Sequence, residues 1–152
     1  MIIFDLSYRL LTFMSSIENH PEKNVIRVQL TQNAVLSELT DAERKELEQL
    51  LVVVDCPKGD FLLHQGVHDM EQYFVLDGIL KRVVSNDQAK EMILRFSDER
   101  DMETSYAAWR LKTAAPYSIA SVTKARVARM PLKKWAEFLD AHKPLKESFE
   151  FE

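Results

Sequence analysis

Pro57-Lys58-Gly59-Asp60-Phe61-Leu62-Leu63-His64-Gln65-Gly66 is the stretch on which the fold turns. A proline–glycine turn, a short extended segment and a second glycine turn follow one another, which is a strand over residues 60–64 punctuated at both ends. The same rhythm continues downstream. Strands are expected over 72–77, 79–84, 91–96, 117–122 and 125–130, separated by Asp77-Gly78, Ser85-Asn86-Asp87 and Thr123-Lys124. Many short strands at regular spacing argue a small antiparallel roll, barrel or sandwich. The chain has only 3 glycines in 152 residues, against an average near 7%. All fall in these turns, where a positive φ costs glycine least.

Helices flank the strand series. Thr40-Asp41-Ala42-Glu43 is a capping box, and Leu47, Leu50 and Leu51 follow on one side. The β-branched run 52–54 then leads into the Pro57 turn. After the last strand, Pro131 suits a first helical position, and Leu132, Trp135, Ala136 and Leu139 form an apolar stripe with Phe138 beside it. Pro144 stops or kinks that helix, and residues 145–152 begin another. At the other end, Ile3, Leu6, Leu10 and Phe13 recur at helical spacing, while residues 25–30 alternate weakly, as a strand would.

Composition narrows the class. With 46% hydrophobic and 29% charged residues the chain reads as globular, and no apolar run approaches the ~18–20 residues of a membrane span. Lys and Arg total 20 against 24 Asp and Glu, a net charge of −4, which offers a phosphate backbone no general attraction. The single cysteine, Cys56, forms no internal disulfide and fits a reducing, cytoplasmic setting. The N-terminus has no basic region followed by an apolar one, so it does not read as a signal peptide.

Four segments carry a family likeness. The Pro57–Gly66 stretch resembles the turn, strand and turn that open a cyclic-nucleotide-binding-type β-roll. Tyr73-Phe74-Val75-Leu76-Asp77-Gly78 resembles its next strand, Lys90-Glu91-Met92-Ile93-Leu94 the strand after the hairpin, and residues 132–139 the helix that follows the roll. The spacing of Gly59, Gly66 and Gly78 suits that pattern. The chain therefore resembles the sensor domain of the catabolite-activator (CRP/FNR) family of transcription regulators. The likeness implies a mainly β fold with flanking helices (α+β), a β-roll of the double-stranded β-helix or jelly-roll kind. It divides the chain into an N-terminal arm (1–35), a sensor domain (36–145) and the start of a dimerisation helix (146–152). It further implies a homodimer, a small-molecule effector, no membrane contact and no enzymatic activity. DNA would be read only through a C-terminal helix-turn-helix outside this chain. A sensor domain cut from a longer regulator is the preferred reading, with a free-standing module as the alternative.

Family members that bind cyclic AMP use a cassette of a glycine turn, a glutamate for the ribose and an arginine for the phosphate, since a buried phosphate needs a cation and several N–H donors. The likeness places that cassette over residues 100–118. Thr104 then stands at the glycine, Ser105 at the glutamate and Tyr117 at the arginine. Tyrosine brings one hydroxyl and no charge, so it does not replace a guanidinium. The candidate ligand residues are Thr104, Ser105, Tyr106, Trp109, Arg110, Tyr117 and Ser118. They describe either a cassette collapsed onto its own aromatics or a pocket for something less charged than a nucleotide, or for haem. A cyclic-nucleotide sensor that takes its cation from Arg110 or Lys112 is the alternative.

Other chemistry is thinly represented. His64 and His68, with Glu71, bear a faint likeness to a cupin metal motif, but the histidine spacing differs and no second motif follows; a cupin-like metalloenzyme is the weakest alternative. His20 and His142, beside prolines at helix margins, read as exposed; either is a candidate axial haem ligand, though no spacing argues for it. Cys56 reads as a small residue at a strand end rather than a redox reporter. Lys124, Arg126, Arg129, Lys133 and Lys134 form a basic run that reads as the solvent side of a strand. No hydrolase, zincin, P-loop or dinucleotide motif occurs.

Overall fold

A computed structural model describes residues 13–150. The expected strands form as β2 (Val52–Cys56), β3 (Phe61–Leu63), β4 (Glu71–Asp77), β5 (Leu80–Ser85), β6 (Glu91–Ser97), β8 (Ser118–Ser121) and β9 (Ala125–Pro131). Two strands were not legible in the sequence, β1 (Phe13–Ser16) and β7 (Met102–Glu103). Four and two residues are too short to display a period. They join two antiparallel sheets, in the orders β1-β2-β9-β4-β7 and β3-β8-β5-β6. This is the roll with flanking helices that the family likeness implies.

The sheets share one core, which includes Val53, Phe74, Leu76, Leu80, Ile119 and Val127. A polar contact crosses between them: Tyr73 of β4, buried, donates its hydroxyl to the Leu62 carbonyl of β3 at 2.9 Å. Gly78, between β4 and β5, has φ +87°. A Cβ there would meet the Lys124 carbonyl and lie 2.8 Å from the Ala125 Cα. That turn needs glycine for space as well as for its backbone conformation.

Three features differ from the sequence reading. Residues 25–30 lie in a helix, α1 (Lys23–Thr31), not in a weak strand. The decisive pair is Ile26 and Leu30, four apart and both fully buried, while Val25 and Val28 face solvent. Phe13 opens a strand rather than continuing a helical stripe, and Ile3, Leu6 and Leu10 lie outside the described residues. Pro131 ends β9 and caps the following helix instead of occupying its first turn.

The helices expected after Thr40, over 132–139 and near the C-terminus form, and α3 has no counterpart in the sequence reading. α2 (Asp41–Glu48) starts at the capping box: the Thr40 hydroxyl accepts from the Glu43 N–H at 3.2 Å, and Glu43 accepts from the Thr40 N–H at 2.9 Å. Thr40→Ala is expected to cost about 1 kcal/mol in urea unfolding; an unchanged midpoint would show that the box contributes nothing. α3 (Tyr106–Arg110) is short, and α4 (Leu132–Ala141) buries Leu132, Trp135, Phe138 and Leu139. α5 (Lys143–Glu150) starts immediately after the break at His142 and buries Leu145 and Phe149. The edge strand β6 presents Met92, Ile93, Leu94 and Phe96 to solvent.

The histidines are placed differently from expectation. His20 is buried: its Nε2 bonds Asp55 at 2.7 Å and its Nδ1 accepts from the Glu22 N–H at 2.9 Å. Asp55 also holds Arg126 at 2.6 Å, so one of the basic-run residues ties β9 to β2 and, through Glu22, to the start of α1. His142 is largely covered, stacked on Phe138 and bonded to its carbonyl at 2.7 Å. Both rings were expected to be exposed; both instead secure helix junctions.

Candidate functional site

The chain between β6 and β8 is held at its entrance by Asn33, just beyond α1. Its buried amide donates to the carbonyls of Arg100 and Asp101 at 3.2 and 3.3 Å, while its Oδ1 accepts from the N–H groups of Val35 and Leu36. β7 then pairs with β4, Glu103 opposite Tyr73. That pairing aims Glu103 inward, and its side chain is 1% exposed.

A carboxylate so buried requires partners. Arg82 of β5 donates through Nε and Nη2 to Oε2 at 3.0 and 2.8 Å. Arg95 of β6 lies 3.1 Å from Oε1 through its Nε, and Ser97 donates to the same oxygen at 2.5 Å. The two arginines stand directly opposite each other in the β5–β6 ladder. Two guanidiniums therefore share one carboxylate, and the cluster carries one surplus positive charge.

Beside this cluster is a cavity of about 460 Å³, within the range of small-ligand pockets. Arg82, Arg95 and Arg100 line it, with Thr104, Ser105, Tyr106 and Tyr117 from the cassette and Phe149 from α5. The Arg82 guanidinium lies 4.1 Å from the centre of the Tyr117 ring, a cation–π stack. The Tyr117 hydroxyl donates to the Thr104 carbonyl, and burial pushes that phenol above its ordinary value against the opposing pull of Arg82. Ser105 is 3% exposed, and its Oγ has no hydrogen-bond partner among the described residues. Tyr106 meets Phe149 edge to face at 5.2 Å.

Of the seven residues selected from sequence, Thr104, Ser105, Tyr106 and Tyr117 converge on the cavity. Three do not line it. Ser118 is buried in β8 and accepts from the Gln65 N–H at 2.8 Å, fastening the Gly66 turn. Trp109 leans on Tyr106 at 5.9 Å. Arg110 is exposed on the outer side of α3, 5.7 Å from the Tyr106 ring, and Lys112 is exposed with a positive φ. The cations in the lining are instead Arg82, Arg95 and Arg100, none of which was among the residues selected from sequence. One signal was present: Arg82 shares strand parity with the buried Leu80, and a charge at core-facing parity implies a partner.

The histidines and the cysteine singled out in the sequence lie away from this cavity. Among the described residues no histidine or cysteine lines the cavity, and both ring nitrogens of His20 are engaged elsewhere. His64 stacks on Phe61 at 5.0 Å, and no three His, Cys, Asp or Glu side chains converge on a metal position among the described residues. Cys56 is buried and donates to the Ala125 carbonyl; burial pushes its thiol up to about 12, far from the thiolate that redox chemistry needs. No helix among the described residues is long and apolar enough to cross a membrane.

Comparison with known proteins agrees with this architecture. The profile of the cyclic nucleotide-binding domain family matches residues 53–142. The sensor domain of the transcriptional regulator DNR from Pseudomonas aeruginosa superposes with a TM-score of 0.72 at 20% identity, covering 83% of this chain and 84% of that one. The catabolite activator protein of Thermus thermophilus gives 0.66 at 11% identity over 76% of this chain and 54% of its own length. The regulatory subunit of a cAMP-independent protein kinase A from Trypanosoma brucei gives 0.68 at 18%, over 85% and 49%. No curated protein matches the sequence.

Proposed function

The chain belongs to the cyclic nucleotide-binding domain family, and on that premise we propose that it is the effector-sensing domain of a CRP/FNR-type transcriptional regulator, with a cassette altered away from cyclic nucleotides. The fold alone does not name a ligand: a subunit described as cAMP-independent shares it. The observation that carries the proposal is the position of Phe149. It joins the cavity wall to α5, so whatever fills the cavity acts on the C-terminal helix. Occupancy would change how α5 packs on Tyr106 and Trp135 and so bias the geometry of a dimer carrying DNA-reading heads. No catalytic role is assigned. The exposed apolar residues of β6 support the homodimer, because an open, apolar edge favours a covering partner.

The test uses the full natural polypeptide. Its reading frame is expected to encode a helix-turn-helix, and the protein to sediment as a dimer. Phe149→Ala is expected to shift the Kd for its own upstream DNA at least about threefold, as uncoupling of a two-state element by ~0.7 kcal/mol would do. A frame without a DNA-binding segment, or a folded variant with unchanged DNA affinity, overturns the regulator reading. A genuine cyclic-nucleotide sensor is the second reading, and the Arg82–Arg95 pair favours it by supplying a cation that the cassette lacks. Calorimetry with cyclic AMP and cyclic GMP separates the two.

A further inference from the structure

Resting on the sensor reading, we propose that the cavity takes a small, flat monocarboxylate, bound through the guanidinium nitrogens of Arg82 and Arg95 that Glu103 leaves free. Charge is the first reason. The pair brings two positive charges and Glu103 one negative; Arg100 and Asp101, also in the lining, offset each other. The surplus matches a monoanion. Donor count is the second. Glu103 occupies Nε and Nη2 of Arg82 and Nε of Arg95. Nη1 of Arg82 and both Nη groups of Arg95 have no partner among the described residues. A guanidinium's planar fork fits a two-oxygen anion.

Ser105 is the third and independent reason. Its buried Oγ has no hydrogen-bond partner among the described residues, an unfavourable state for a polar group, and the residue belongs to the cavity lining. Rotation about χ1 to bring this hydroxyl to the cavity would let a bound acceptor satisfy it. The choice of carboxylate over a cyclic phosphate follows from the acids. A ribose needs an acceptor for its hydroxyl, but both oxygens of Glu103 are taken and Oδ2 of Asp101 accepts from the Asp98 N–H at 3.0 Å, which leaves Oδ1 of Asp101 as the one acid oxygen in the described lining without such a bond. Tyr106 and Phe149 supply the apolar wall for a flat body.

Titration calorimetry on the whole chain tests this with benzoate and salicylate as probes, and with benzamide, inorganic phosphate and cyclic AMP as comparators. A carboxylate is expected to bind at least tenfold tighter than benzamide, and more tightly than phosphate or cyclic AMP. Arg95→Gln, at a side chain 44% exposed, is expected to weaken carboxylate binding about tenfold, the loss of one charge-assisted pair. Ser105→Ala is expected to weaken it about threefold, and Arg110→Ala to leave it unchanged. Amide shifts of the wild-type protein under benzoate, confined to residues around Arg82, Arg95 and Ser105, give a readout that needs no variant. Equal binding of benzamide, tighter binding of cyclic AMP, indifference to Arg95→Gln or no carboxylate binding at 10 mM (roughly the weak limit for a small ligand) each overturns the assignment. None of those results touches DNA affinity or Phe149, so this inference fails separately from the sensor reading.

Discussion

Glu103→Gln is expected to lower the unfolding free energy by about 3 kcal/mol, because it leaves Arg82 and Arg95 facing each other without their shared counter-charge. The figure sits at the low end for a broken buried pair, since Arg82 is 20% and Arg95 44% exposed and water screens part of the repulsion. Urea unfolding measures it. The companion variant Arg82→Met/Arg95→Met/Glu103→Leu removes the charges together and is expected to recover most of that loss, while abolishing benzoate binding. If Glu103→Gln unfolds at the wild-type midpoint, the cluster is not the electrostatic unit described above.

Trp135→Ala is expected to cost about 3–5 kcal/mol, the usual price of emptying a large core site. Trp135 is fully buried and meets Phe74 of β4 at 5.3 Å, Phe138 at 6.0 Å and Phe149 of α5 at 5.4 Å. One ring therefore holds the sheet, α4 and α5 together. The melting temperature should fall by roughly 10 °C, at ~2–4 °C per kcal/mol for a chain of this size. Trp135→Phe is expected to cost much less, since the indole Nε1 it deletes has no partner among the described residues. The Ala variant also leaves Trp109 as the remaining tryptophan, a fluorophore next to Tyr106 and the cavity wall. A loss under 1 kcal/mol would mean that α4 and α5 are not anchored through this ring.

The two predictions act on one mechanical path. Glu103 fixes the guanidinium pair on one side of the cavity, and Trp135 fixes Phe149 on the other. On the proposed sensor reading, a ligand between them would act on both and so on α5.

The cavity shows where reading along the chain gave out. Thr104, Ser105, Tyr106 and Tyr117 were found because they lie in one cassette, close together in sequence. Arg82 and Arg95 were missed because they come from two earlier strands and gain their role only through a cross-strand register and Glu103, which β7 delivers. Ser118 and Arg110 were selected by proximity in sequence, and strand parity and helix face turn both away from the cavity.

Local chemistry in the chain was enough to determine the strand series, the glycine turns, the capping box of α2 and the apolar stripe of α4, because each depends on residues within one element. The same local information misread residues 25–30, where Ile26 and Leu30 bury as helical neighbours only once a sheet lies beneath them. Which charges meet, which hydroxyl is left unpartnered and which ring closes the cavity were decided by the tertiary structure alone. Those relations join residues far apart in the chain, and burial is what gives them their energetic weight.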